Sequence, residues 1–109
     1  MNPEALKGHL DLLLLASLKG RPAHGYAALE RLREESQGTF DLPEGTIYPA
    51  LHRLEAAGLL VSRWSDASGR RRRLYQLTPK GQRSLERRRQ EWMHFTRGMQ
   101  AVLDLGATT

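Results

Sequence analysis

The chain has 109 residues, no cysteine, and a formal net charge of +5. That length fits one domain with a modest core. The lack of thiols excludes a disulfide framework and a cysteine-ligated metal site. The longest apolar run, Leu12–Ala16, is far too short to span a bilayer, and no basic segment followed by a cleavable apolar stretch opens the chain. The expectation is a cytoplasmic protein.

Charge is unevenly spread. Residues 60–90 carry ten Lys/Arg against Asp66 and Glu86, whereas residues 1–59 are slightly acidic. A positive field confined to one segment favours a directed contact with a polyanion over general adhesiveness.

In chain order, Leu6, Leu10, Leu13, Leu14 and Ser17 form one stripe of a helix over about residues 4–19. Leu12 and Leu15 fall outside that stripe. Because a small domain needs one buried stripe per surface helix, these surplus leucines are assigned to a contact with a second subunit. Gly20 and Pro22 end the helix. A second helix is expected over about residues 24–35, with Tyr26, Leu29 and Leu32 facing inward. Phe40 and Leu42 alternate with polar residues as in a brief strand.

A third helix, about residues 43–57, has a plain back and an unusual front. Ile47, Leu51, Leu54 and Gly58 repeat at buried-face spacing. The opposite face carries Gly45, Pro49, His52, Arg53 and Ala56. Proline belongs near the first turns, where backbone donors lack partners in any case. The front is thus low in bulk, with Thr46 and Tyr48 beside it, and suits close approach to a flat anionic surface.

Residues 60–77 read as a β-hairpin around the tip "SDASGR". Thr78 and Pro79 then provide a cap and a first helical residue for a long terminal helix running to about Leu103. Leu85, Trp92, Phe95, Met99 and Val102 recur along it at coiled-coil-like intervals. Such a seam, arriving after the small core is complete, calls for a partner, and with Leu12 and Leu15 it gives a homodimer interface.

Catalytic chemistry finds no support. Glu91 and His94 have the spacing of a diiron-type pair, but the second pair and the additional glutamates are missing. His52 and Glu55 reverse the order. No phosphate loop or nucleophile motif is present, so neither metal nor cofactor is expected and the chain is not read as an enzyme.

Three helices followed by a basic hairpin make a mostly α, winged helix-turn-helix fold. Its third helix would enter the major groove of double-stranded DNA, and Arg70, Arg71, Arg72 and Arg73 would lie on the wing. The expected division is a DNA-binding unit over residues 1–78, a C-terminal dimerisation helix over 79–105 and a frayed tail over 106–109. A winged-helix protein-interaction module without sequence-specific reading is the alternative.

The segments "HGYAALERL", "EGTIYPALHRLEAAGLL" and "RRRLYQLTPKGQ" resemble the PadR-type transcriptional regulators, in the short branch with one C-terminal helix. The resemblance implies a bacterial homodimeric repressor on a two-fold symmetric operator, nucleoid-associated when bound. It implies DNA contacts from Tyr26, Gly45, Thr46, Tyr48, Pro49, His52, Arg53 and the wing arginines. It also implies release by a small aromatic effector or drug, with Trp92 as the side chain to stack on it. Ala27 and Leu74 depart from the pattern, standing where glutamate and tyrosine are frequent.

Overall fold

A computed structural model describes residues 9–67 and 69–103. In chain order it contains α1 (Leu10–Ser17), α2 (Gly25–Glu35), α3 (Glu44–Ala56), β1 (Leu60–Ser65), β2 (Arg72–Leu77) and α4 (Pro79–Leu103). The winged arrangement expected from the sequence is present, including the long last helix. Leu6 and the tail over 106–109 lie outside the described residues.

The core gathers around α1, which packs against α2, α3 and α4. This corrects one expectation. Leu15 is fully buried inside its own chain, and Leu85 of α4 is buried in the same core, so neither is left for a second subunit. The single-stripe argument fails because α1 is surrounded on three sides rather than lying at the surface. Leu12 is only half-buried and Leu13 half-buried as well.

The loop after α1 is tied down by Arg31. Its guanidinium donates to the carbonyls of Ser17 at 3.0 Å and Arg21 at 2.9 Å, satisfying acceptors that the helix end leaves free. On α2, Ala28, Leu29 and Leu32 face inward, but Tyr26 is 49% exposed, contrary to the inward assignment. It lies in the first turn, beyond the reach of the core.

The strand expected around Phe40 and Leu42 does not form. Leu42 is buried from an irregular segment, and the hairpin takes its extra backbone pairing from Ala23, whose N–H and C=O exchange hydrogen bonds with Tyr75 at 2.9 and 2.8 Å.

Ile47, Ala50, Leu51 and Leu54 bury the back of α3. Pro49 stands sixth in that helix, one turn deeper than its missing donor would favour, and leaves the carbonyl of Gly45 without its usual partner. The helix ends at Gly58, whose φ of 79° allows Leu59 N–H to return to the carbonyl of Leu54 at 3.0 Å. Lys80 closes the same end by donating to the carbonyl of Ala57 at 3.0 Å.

The strands pair antiparallel from Leu60↔Leu77 to Ser65↔Arg72. Thr78 caps α4 through its hydroxyl, which accepts from Gly81 N–H at 3.0 Å and itself donates to the carbonyl of Gly58 at 2.7 Å. Gly81 runs against the chain it caps. A Cβ built there would meet the carbonyl oxygen of Leu59 at 2.0 Å.

Gly81→Ala therefore forces α4 away from the end of α3. We expect a loss of at least about 3 kcal/mol in urea unfolding, at the upper end of overpacking costs because the obstacle is backbone.

Candidate nucleic-acid interface

The front of α3 and the base of the wing enclose an open cleft of about 540 Å³, lined by Tyr26, Glu44, Tyr48, Trp64 and Arg70–Arg73 together with His24 and Gly25. At one edge of it α2 comes close to α3 because Gly25, the first residue of α2, carries no side chain. A Cβ on Gly25 would lie 2.6 Å from the ring of Tyr48. That close approach holds Tyr48 on the α2 flank of α3, still 40% exposed. The tripeptide "HGY" thus has a physical reason: glycine seats one tyrosine while the next residue supplies another.

Gly45, Thr46, Pro49, His52 and Arg53 are all exposed on the outer face of α3. Thr46 is partly committed, since its hydroxyl donates to the carbonyl of Pro43 at 2.7 Å. Arg53 is committed as well: it pairs with Asp11 at the start of α1. The other oxygen of that carboxylate lies 4.0 Å from Arg88 of α4. One carboxylate therefore stands between the outer face of α3 and the C-terminal helix.

The wing arginines are not equivalent. Arg70 and Arg71 are exposed. Arg72 approaches Nε2 of His24 at 2.8 Å, and Nδ1 of the same ring lies 3.3 Å from Ala27 N–H. A neutral imidazole has one acceptor nitrogen, and arginine can only donate. The ring thus serves Arg72 or caps α2, one at a time, and a protonated ring serves neither. Burial, then the charges of Arg72 and Arg31, hold its pKa below the ordinary imidazole value and favour the neutral form.

Arg73 donates to the Ser62 hydroxyl at 2.7 Å. That hydroxyl donates to Glu55 at 2.5 Å, and Glu55 lies 3.9 Å from Arg73. This triad joins the last turn of α3 to both strands of the wing. Sequence reading missed Glu55, Ser62, Asp11, His24 and Trp64. Spacing could not have found Asp11, His24 or Glu55, because each meets an arginine far along the chain, whereas Ser62 and Trp64 meet theirs across the hairpin, through a register that spacing alone does not fix.

The residues assigned to a dimer seam divide. Beyond Arg88, α4 leaves the core, and Trp92, Phe95, Met99 and Val102 stand exposed, Val102 at 84%. Leu12 joins His9, Arg88, Glu91, Trp92 and Phe95 around a second cleft of about 350 Å³. The Trp92 ring stacks on Phe95 at 5.5 Å and meets His9 edge-on at 4.8 Å. Among the described residues no cluster of His, Asp or Glu could hold a metal ion, and no helix is long and apolar enough to cross a membrane.

Comparison with known proteins agrees with this geometry. The model of the transcriptional regulator PadR-like family matches residues 14–87. Among curated proteins, a transcriptional regulator of Mycobacterium tuberculosis is 49% identical over 53 residues, which span 49% of this chain and about half (50%) of that protein's length. Among solved structures, a PadR family regulator of Clostridium difficile superposes with a TM-score of 0.79 at 37% identity, covering 88% of this chain and 99% of that one. A PadR family regulator of Eggerthella lenta does so with 0.79 at 31% identity, covering 94% and 88%. A match across two-thirds of the sequence, a span that includes α3 and the wing, makes this chain a member of the PadR-like family of transcriptional regulators, which are not enzymes.

Proposed function

We propose that two copies of this chain bind a two-fold symmetric operator and repress transcription in the bacterial cytoplasm. The observation that carries the reading is the cleft between α3 and the wing. It combines a low-bulk helix front, two exposed tyrosines and four arginines, with Glu44 its one acidic residue among those lining it. The front of α3 would meet base edges through Gly45, Thr46, Tyr48, Pro49 and His52, while Tyr26, Arg53 and Arg70–Arg73 take phosphates. Arginine suits that task because its planar fork matches two phosphate oxygens.

Dimerisation is assigned to residues 79–105 and DNA binding to residues 1–78. The exposed Trp92, Phe95, Met99 and Val102 support the first assignment, since an apolar face of this size on a solvated helix favours burial against a like surface. Leu12 is placed at the edge of the same seam. The cleft beside Trp92 would admit a small aromatic effector, stacked on the indole. The protein-interaction alternative leaves the seating of Tyr48 on Gly25 without a purpose.

The wild-type protein should sediment as a dimer and select an inverted repeat from a random DNA library. Arg70→Ala with Arg71→Ala should weaken binding to every duplex and lower the slope of log K against log salt by about two, one for each lost phosphate contact. A monomer that shifts no duplex at low salt would end the proposal.

Asp11 makes a sharper case, because it competes with phosphate for Arg53. Asp11→Asn should tighten binding to specific and random DNA alike, by up to about fivefold given the small net worth of an exposed ion pair. Weaker binding would mean that the carboxylate orients Arg53 instead of withholding it.

For the effector cleft, the Trp64→Phe protein leaves Trp92 as the one indole. Titration with planar aromatic compounds should then quench its emission saturably and release DNA over the same concentration range. Quenching without release would separate binding from control.

A further inference from the structure

We propose that Trp64 is the positioning residue of the wing, an aromatic platform that holds Arg71 and Arg73 ready for the phosphate backbone. The inference rests on the DNA-binding reading above and adds to it a residue that contributes no charge of its own.

The register of the hairpin shows why Trp64 is unusual. On the inner face the cross-strand pairs are Leu60↔Leu77, Ser62↔Tyr75 and Trp64↔Arg73. Leu60, Leu77 and Tyr75 are buried in the core. One step further towards the tip the core has ended, and the row continues over the cleft. Trp64 occupies that step and is 53% exposed. A hairpin position past the core does not require the largest apolar side chain, and a solvated serine or threonine would pair as well in a strand.

What the indole does contact is charge. The guanidinium of Arg71 lies 4.7 Å from the ring centroid and that of Arg73 lies 5.2 Å away, both within cation–π range. Arg73 is additionally held by Ser62 and faces Glu55 at 3.9 Å, whereas among the described residues Trp64 is the restraint on Arg71. A free arginine loses rotamer freedom when it grips a phosphate; one already resting on a ring has lost part of it beforehand. Stacking leaves the guanidinium N–H edge available for phosphate oxygens, so the platform and the anion do not compete. An aspartate in the same place would orient the arginines equally well but would neutralise them.

The test compares Trp64→Leu, which keeps an apolar cross-strand partner, with Trp64→Phe, which keeps a ring. Each is made in the wild type and in an Arg71→Ala/Arg73→Ala background. Binding to a random-sequence duplex at low salt is followed by anisotropy, with thermal melts to verify folding. Trp64→Leu should weaken binding about fivefold while Trp64→Phe stays within about twofold. In the background lacking Arg71 and Arg73 the leucine variant should cost nothing further. A loss that persists there means that Trp64 touches DNA directly, and overturns the platform. So does full affinity for Trp64→Leu in the wild type. If the wild type itself binds no duplex, the functional reading fails first, an outcome distinct from either.

Discussion

The molecule depends on the joint where α3 ends. Within four residues the chain leaves the helix through Gly58, turns Leu59 into the core and enters the wing. Thr78 returns to the same point, its N–H donating to the carbonyl of Leu59 at 3.1 Å and its hydroxyl to that of Gly58. Gly81 then passes so close to Leu59 that only a hydrogen fits between them. Three orientations are fixed at once: wing against α3, α4 against α3, and, through α4, its exposed apolar residues against the outer face of α3. The 25-residue α4 is thus anchored to the end of α3 at its first turn, through backbone contact at Gly81 and the side chains of Thr78 and Lys80.

A second layer of connection is electrostatic. Among the described residues, four arginines of the proposed interface have partners: Arg53 has Asp11, Arg72 has His24, Arg73 has Ser62 and Glu55, and Arg71 has Trp64. These partners differ in what they do to a cation. A carboxylate competes with phosphate, a neutral imidazole orients without neutralising, and an indole does the same without using up a hydrogen-bond donor. The wing tip, where the partners are uncharged, is therefore where the positive field is least attenuated. Arg53, held by a carboxylate that also faces α4, is where the positive charge is most offset.

Much of this fold is written in local pattern. The caps at Thr78 and Pro79, the buried back of α3 and the hairpin around its polar tip follow from spacing and turn chemistry, and the structure places each near its expected bounds. What pattern could not convey was enclosure. A stripe rule points Leu15 outward because it assumes one solvent-facing side, and α1 has almost none; coiled-coil-like spacing points Leu85 outward, although the first turns of α4 still pack in the core. Tyr26 was assigned inward because it shares helical phase with Leu29, although the core stops short of the first turn of α2. Phe40 and Leu42 had the alternation of a strand but no neighbour to pair with, while Ala23, which has no strand signal, had one in Tyr75. For the candidate site, the exposed face of α3 and the arginine cluster were legible as residue types, whereas their partners were not.

For the proposed function, these partners bear on how a protein of this size would bind one site tightly without binding all DNA. Ten basic residues between positions 60 and 90 would, if unpaired, favour any duplex through counterion release alone. Specificity needs that sequence-independent term to be moderate and the helix-front term to be well oriented. Intramolecular partners for Arg53 and Arg73 reduce the first, since a phosphate must displace Asp11 or compete with Glu55. The seating of Tyr48 on Gly25 strengthens the second, since a side chain wedged against backbone arrives at a base edge with little freedom left to lose. The same arrangement reaches α4. Arg88 and Arg53 share Asp11, and Arg88 also lines the cleft beside Trp92, so one carboxylate links that cleft to the outer face of α3.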